Sequence, residues 1–245
     1  MTMNEDQRLV VVTGGASGIG AAAATELADR GDAVVVADID LDAANSLAER
    51  IGAQARHVDV RARDSVEALF ESLPRAPAAL LTSAGGATRA AALDVDEELF
   101  LATFQLNTGG FWRCAQTAAR RAIAEDRCLS IVHVASSLHA GPAPGLSHFA
   151  AAKGASVSLL RCLAQEWAEH RIRVNGVVPG PVDTPATRSW DADPALREAV
   201  ESRLPLGRIG RVSDLTPVIL WLLDDAAAWV TGSLVTVDGG WSVAP

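Results

Sequence analysis

Residues 8–20 read RLVVVTGGASGIG, an apolar run that leads directly into a glycine-rich turn. The run is rich in Val and has the length of one buried strand. The alanine-rich residues 18–30 that follow have the length of a helix. A strand, a glycine turn and a helix in this order predict the first half of a βαβ unit, and hence a parallel sheet.

The same alternation continues along the rest of the chain. Strands are predicted at residues 8–13, 33–38, 54–58, 78–82, 130–135, 172–178 and 233–237, and helices at 18–30, 42–51, 64–72, 96–125, 147–169 and 212–224. Crossover helices of parallel strands cover both faces of the sheet. The sequence therefore predicts an α/β fold: a single Rossmann-like domain over residues 1–245, with a doubly wound parallel sheet of about seven strands.

The composition indicates which kinds of binding partner to expect. Hydrophobic residues make up 49% of the chain, enough to cover a sheet on both faces, and the net charge is -9. A nucleic-acid surface would need a basic stripe, which this charge argues against. No apolar run approaches the roughly 18 residues of a membrane span, and the first residues lack a basic secretion signal. We expect a cytoplasmic protein that binds small molecules, with no nucleic-acid or membrane partner.

The glycine turn and a later acid predict a dinucleotide site. Glycines permit close approach of a pyrophosphate to the N–H groups at the start of a helix. Asp38 ends the second predicted strand, 18 residues after Gly20, where its carboxylate can accept hydrogen bonds from a ribose 2′-hydroxyl. The same carboxylate would repel a 2′-phosphate, and no basic residue in the turn offsets it. NAD(H) is therefore predicted in preference to NADP(H).

The glycine spacing G-x-x-x-G-x-G resembles the short-chain dehydrogenase/reductase family, and later motifs extend the resemblance over essentially the whole chain. Those motifs are Asp59-Val60, Asn107, Ser136, Lys153, residues 175–184 (NGVVPGPVDT) and Asp238-Gly239-Gly240. The family's Asn-Asn-Ala-Gly reads Thr82-Ser83-Ala84-Gly85 here. The resemblance implies a cofactor site formed by Gly14, Ser17, Gly18, Ile19, Gly20, Asp38, Asp59, Val60, Ser83, Ala84, Gly85, Lys153, Pro179, Gly180, Val182 and Thr184.

The family's Tyr-x-x-x-Lys motif is altered, because Phe149 stands four residues before Lys153. The resemblance implies that a tyrosine there exchanges a proton with the substrate oxygen. It also implies that Ser136, thirteen residues upstream, holds that oxygen and that Asn107 supports a water relay. A phenyl ring can neither donate nor accept a proton. The expected catalytic set is thus Ser136, Lys153, Asn107 and a proton-transfer position occupied by Phe149, with no metal.

Three interpretations of Phe149 remain open. The first is an alcohol and ketone oxidoreductase in an inactive or impaired Tyr-to-Phe form. A chain with one lysine, at 153, and no tyrosine favours it. The second is an enoyl- or dienoyl-type reductase, although the related branch takes a tyrosine from elsewhere in its chain. The third is a non-catalytic NAD(H)-binding sensor or scaffold. Two histidines are weighed as substitutes for the phenol: His148 points about 100° away on the helix and cannot simply take its place, and His139 could reach the cleft only through its loop.

Two regions are predicted to select the substrate. One is the loop at 137–144, and the other is residues 181–205, which contain four prolines and read as a loop with a short helix. Long segments after the carboxyl end of a strand commonly cover a ligand site, so the second region is a candidate substrate lid. Within it, Trp190 and Leu196 could contact an apolar group or anchor the lid, and Arg188 could attract an anion.

The resemblance also implies a homotetramer assembled through the long helices at 96–125 and 147–169 and the last strand. Two residues of the first of these helices also support an assembly of several copies. Phe111 and Trp112 are expected to leave more apolar surface on the first of these helices than one sheet face can cover.

Overall fold

The computed structural model describes residues 7–185, 187 and 193–244 and contains a seven-stranded sheet in the order β3-β2-β1-β4-β5-β6-β7, with every pair of neighbours parallel. The strands are β1 Leu9–Thr13, β2 Ala33–Asp38, β3 Gln54–His57, β4 Ala79–Thr82, β5 Leu129–Val134, β6 Ile172–Pro179 and β7 Leu234–Val237. The strand order reverses direction between β1 and β4. In doubly wound sheets a ligand crevice opens at this point, outside the carboxyl ends of the strands.

Among the described residues, eight α-helices connect and cover the strands. They are α1 Gly18–Asp29, α2 Leu41–Ile51, α3 Arg63–Glu71, α4 Glu97–Phe104, α5 Gly110–Ala124, α6 Ser147–Glu166, α7 Pro194–Glu201 and α8 Val212–Leu223. The predicted α/β, single-domain, Rossmann-like fold is confirmed, with each strand ending within one residue of its predicted bounds.

The sheet is buried on both faces because its strands are apolar on both sides. Val10 and Val12 point into a core shared with α1, α2 and α8. Leu9 and Val11, one residue out of phase, point into the opposite core with α3, α5 and α6. Side chains alternate across a strand, so one continuous apolar run supplies two cores.

The prediction of one continuous helix over 96–125 is wrong at its centre. A π-helical turn at Gln105–Gly109 separates α4 from α5. The amide Nδ2 of Asn107 donates to the Thr103 carbonyl oxygen at 2.9 Å, which places a side chain within the helical hydrogen-bond ladder. Such insertions and π-turns interrupt regular helices and are frequent at functional sites.

The candidate lid carries α7, the expected short helix. Asp193 caps it by accepting the N–H groups of Ala195 and Leu196, and Pro194 occupies its first turn. Arg188 and Trp190 lie outside the described residues.

Phe111 does not form an outer apolar surface, so that expectation is wrong. Its ring is 2% exposed and stacks on His133 at a centroid distance of 4.1 Å. Trp112 is 37% exposed, as expected of an outward-facing residue.

The homotetramer and the cytoplasmic location stay predictions. No helix among the described residues combines the length and apolar character needed to cross a membrane.

Candidate functional site

A cleft of about 870 Å³ opens at the carboxyl ends of the central strands. It brings together residues predicted from widely separated motifs. Those that line it are Gly14, Ser17, Gly18, Ile19, Asp38, Asp59, Val60, Ser83, Ala84, Gly85, Ser136, Phe149, Lys153, Pro179, Gly180, Val182 and Thr184. Gly20 and Asn107 do not line it, but they contact the lining residues Gly14 and Gly86, respectively.

The glycine turn between β1 and α1 is shaped by close backbone packing. Gly14 has a φ of +66°, and a Cβ there would lie 2.4 Å from the backbone nitrogen of Ala84. A Cβ on Gly20 would lie 2.1 Å from the carbonyl oxygen of Gly14. Gly14 therefore allows contact with the loop after β4, and Gly20 lets α1 begin directly beneath the turn.

The start of α1 is suited to an anionic group. Ser17 is its N-cap residue but makes no side-chain capping hydrogen bond, and the first turn contains no acidic residue. Unpaired N–H groups at a helix start carry partial positive charge and bind phosphate oxygens. Ser17, Gly18 and Ile19 all line the cleft, so these residues fit the pyrophosphate of a dinucleotide.

Asp38 joins the glycine turn to the end of β2. Its Oδ2 accepts the N–H of Ala16 at 2.9 Å, and its Oδ1 accepts the N–H of Asp40 at 3.1 Å. A carboxylate offers about four acceptor positions, so both oxygens retain capacity for ribose hydroxyl groups. The carboxylate faces the cleft and fits the predicted ribose contact.

An ion pair stands beside Asp38 at the same end of the cleft. Arg61 binds Asp59 through two parallel hydrogen bonds, Nε to Oδ1 at 2.9 Å and Nη2 to Oδ2 at 2.8 Å. The hydrogen bonds from Arg61 lower the pKa of the Asp59 carboxyl below its ordinary value. The sequence interpretation missed Arg61, whose position two residues after Asp59 was the available signal.

The opposite end of the cleft contains Ser136, Phe149 and Lys153. Residues 149 and 153 share a face of α6, and the Lys153 Nζ atom lies 5.7 Å from the centroid of the Phe149 ring. Nζ donates to the Val134 carbonyl oxygen at 2.8 Å, and burial lowers the pKa of the ammonium group to about 8. The Oγ atom of Ser136 accepts the Leu138 N–H at 3.2 Å, and Ser136 lines the cleft together with neighbouring Ser137.

Asn107 is fully buried and uses its side-chain amide on the backbone. Its Oδ1 accepts the N–H of Gly86 at 3.2 Å, and its Nδ2 donates to the carbonyl oxygens of Gly86 and Thr103, both at 2.9 Å. A Cβ on Gly85 would lie 2.8 Å from Oδ1. Asn107 thus holds the loop after β4 in position, and its part in a water relay stays a prediction.

A buried polar chain under the cleft was missed from the sequence. Thr82 Oγ1 lies 2.9 Å from Nδ1 of His133, whose Nε2 lies 3.1 Å from Oγ of Ser156. The Ser156 hydroxyl donates to the Lys153 carbonyl oxygen at 2.9 Å, so it accepts from His133 Nε2–H. Burial, and then the charge of Lys153, lower the pKa of His133 well below its ordinary value. A histidine inside an apolar strand was the available signal.

Neither candidate histidine substitute lines the cleft. His148 is buried and its Nε2 contacts the Thr88 carbonyl oxygen at 3.1 Å. His139 places Nδ1 2.7 Å from the Ser136 carbonyl oxygen. Within residues 7–185, 187 and 193–244, no three His, Cys, Asp or Glu side chains form a group that could hold a metal ion.

The segment after β6 closes one wall of the cleft. Gly180 packs on Asp238, where a Cβ would lie 2.7 Å from the Asp238 Cα, and Thr184 approaches Gly18. Leu196 and Val200 add apolar surface from α7. Lining residues outside the predicted site set are Ile39, Val58, Arg61, Gly86, Ala87, Arg89, Leu106, Val134, Ala135, Ser137, Leu138, Leu146, Pro181, Pro185, Thr187, Leu196, Val200 and Trp241.

Comparisons with known proteins agree with this geometry. The profile of a family described as "Enoyl-(Acyl carrier protein) reductase" matches residues 14–242. Cis-4-hydroxycyclohexanecarboxylate dehydrogenase of Sinomonas cyclohexanicum is 37% identical over 96% of this chain and 97% of its own. A protein named probable 2,4-dienoyl-CoA reductase, from Bacillus subtilis, is 30% identical over 96% of each chain.

A solved structure extends the match to three dimensions. A Beutenbergia cavernae protein, provisionally assigned as an NAD(P)-dependent gluconate 5-dehydrogenase and solved with NADP at low occupancy, has a TM-score of 0.91. It is 31% identical, and the match covers 97% of both chains. With the fold, the cleft and the matched motifs, these likenesses identify the protein: the chain belongs to the short-chain dehydrogenase/reductase family of nicotinamide-dependent oxidoreductases.

Proposed function

We propose that this chain is an NAD(H)-dependent oxidoreductase that interconverts a secondary alcohol and a ketone, and that Phe149 occupies its proton-transfer position. The observation that carries the proposal is that one cleft contains the predicted cofactor residues and the predicted catalytic residues at separate ends. Asp38 ends β2 and Ser136 follows β5, with β1 and β4 between them in the sheet, so Asp38 lines one end and Ser136, with Phe149 and Lys153, lines the other. A dinucleotide extended between these ends would bring its reacting ring to Ser136 and Phe149.

The preference for NAD(H) rests on Asp38. A carboxylate that accepts ribose hydroxyl groups repels a phosphate at the same place. The described cations lining the cleft are Arg61, Arg89 and Lys153, and Arg61 is already paired with Asp59. A related structure contains NADP. Comparing the affinities of this protein for NADH and NADPH therefore tests the proposed preference directly.

The residues around the reacting carbon have separate tasks. Bound nicotinamide would exchange a hydride with that carbon. The Ser136 hydroxyl would hold the substrate oxygen, and Lys153 would stabilise negative charge through its ammonium group. Phe149 fills the place of the phenol but cannot move a proton, so turnover should be lower by roughly 10²- to 10⁴-fold than with a tyrosine.

A second candidate is reduction of an activated carbon–carbon double bond. The description of the matching family and the name of the Bacillus subtilis relative favour it. The absence of any tyrosine from the sequence weighs against it, because a proton donor is still needed at the substrate. A sensor or scaffold without catalysis is the remaining alternative.

The test is a titration with NADH and NADPH, followed by a Phe149→Tyr variant assayed with a panel of alcohols, ketones and enoyl thioesters. We expect selective NADH binding in both proteins and a rise of at least about 100-fold in ketone reduction with the tyrosine. Trp229→Tyr is the control, because it adds the same phenol at a fully exposed aromatic residue that neither lines the cleft nor lies on α4 or α5.

Each alternative function predicts a different outcome of these two experiments. Enoyl reduction by the unchanged protein, with little gain from Phe149→Tyr, would favour the second candidate. NADH binding without turnover in either protein would favour a sensor. Failure to bind NADH would contradict the dinucleotide site itself.

We further propose that the protein acts as a homotetramer. Phe100, Leu101, Trp112 and Ile123 are exposed apolar residues of α4 and α5, 37–51% accessible in the single chain. A second copy packed on these helices would bury them. Sedimentation equilibrium would test this, and a monomer at micromolar concentration would contradict it.

A further inference from the structure

Of the two arginines that line the cleft, Arg89 has no acidic partner among the described residues. Arg89 lines the cleft, and its Nη1 donates a hydrogen bond to the Pro144 carbonyl oxygen at 3.3 Å. Arg61 is paired with Asp59, and Lys153 is buried and donates to the Val134 carbonyl oxygen, whereas Arg89 is exposed. An arginine side chain offers five N–H donors, and most of those of Arg89 remain available.

Arg89 is attached to the substrate end of the cleft by its neighbours. Ala90 N–H donates to the Gly145 carbonyl oxygen at 3.1 Å, and buried His148 contacts the Thr88 carbonyl oxygen. Together with the bond from Arg89 to Pro144, these contacts fasten residues 88–90 to residues 144–148. The latter segment leads into Phe149, so Arg89 is held near the reacting position and away from Asp38.

Arg89 is exposed where it lines the cleft, and the same cleft contains apolar side chains. Leu146, next to Gly145, lines the same cleft, as do Leu138 and Phe149. The acidic residues that line the described cleft are Asp38 and Asp59, both at the end assigned to the cofactor. A guanidinium group and apolar side chains in one cleft favour a ligand that has both a carboxylate, bound bidentately, and an apolar body.

We propose that Arg89 binds a carboxylate of the substrate, and that the substrate is therefore a small hydroxy acid or oxo acid with an apolar body. Its reacting oxygen lies at Ser136 and its carboxylate at Arg89. This inference rests on the proposed function, because it assigns the substrate class of that same reaction.

The test measures binding in the protein as it exists, with Phe149 in place. Oxidised NAD and a ketone form a dead-end pair, so calorimetry reports affinity without turnover. The probes are levulinate and 4-oxocyclohexanecarboxylate, each compared with its own carboxamide. Arg89→Gln removes the charge but keeps an N–H donor for the loop, and Arg50→Gln removes the same charge from the exposed end of α2.

In the unchanged protein and in Arg50→Gln, at least one acid should bind roughly tenfold more tightly than its amide. In Arg89→Gln the preference should fall to within about twofold, with NAD affinity unchanged. Equal affinity for every acid and its amide in the unchanged protein would overturn the inference, as would no binding of any ketone in the presence of bound NAD.

A preference that survives in Arg89→Gln, or an equal loss of acid and amide affinity, would also overturn it. The second result would assign Arg89 to the loop alone. Failure to bind NAD is a different outcome, because it contradicts the proposed function and not the charge preference.

Discussion

Replacement of Lys153 by methionine tests the electrostatics at the reacting end of the cleft. Lys153 is the single lysine of the chain, and burial lowers the pKa of its ammonium group from 10.5 to about 8. A fall of that size corresponds to about 3 kcal/mol, at about 1.4 kcal/mol for each pH unit. Methionine has a similar length and removes the buried charge.

The direction in which stability changes with pH follows from proton binding by the folded and unfolded chains. Between pH 8 and pH 10.5 the unfolded chain retains a proton on Lys153 that the folded chain has lost. The contribution of Lys153 to the free energy of unfolding therefore rises with pH across this window. Stability of the unchanged protein relative to Lys153→Met should increase by up to about 3 kcal/mol between neutral pH and pH 10.5.

A buried thiol acts in the opposite direction. Burial raises the pKa of Cys114 from 9.0 to about 12, so the folded chain keeps a proton that the unfolded chain loses in that range. Its contribution to stability falls as pH rises from 9 to 12. Both proteins contain Cys114, so this effect cancels when the two are compared.

The assay is urea unfolding at several pH values, followed by tryptophan fluorescence at constant protein concentration. A chain labelled with [ε-¹³C]lysine gives the second readout, because one lysine yields one NMR signal. The reasoning is refuted if that signal titrates near pH 10.5, or if the two stability curves stay parallel from neutral pH upwards.

Two further replacements test the cofactor end. Asp38→Ser removes the carboxylate, so the ratio of NADPH to NADH dissociation constants should fall by roughly tenfold or more in a fluorescence titration; an unchanged ratio would show that Asp38 does not select the cofactor. Gly14→Ala forces a Cβ against Ala84 at a φ of +66° and should lower the free energy of unfolding by about 1–3 kcal/mol, together with NADH affinity. Gly31→Ala is the control, since φ is +89° there but no atom lies within 4 Å; equal losses in the two variants would mean that close packing at Gly14 is unimportant.

Much of the cofactor end was predictable because its geometry follows from local sequence. A short apolar run, a glycine turn and an acid at the end of the next strand place Gly14, Ser17 and Asp38 at one edge of a parallel sheet. The cleft indeed brings these three residues together. Their roles toward NAD(H) stay predictions until binding is measured.

The sequence by itself determined the order of strands and helices, the parallel sheet and the spacing of Phe149 and Lys153 on α6. These features depend on periodicity and on contacts close in sequence. Only the tertiary structure decided the π-helical turn at Asn107, the buried chain through His133 and the place of Arg89 in the cleft. The last two join distant segments through individual hydrogen bonds, and the first depends on the side-chain amide of Asn107. No hydrophobic pattern encodes which donor meets which acceptor.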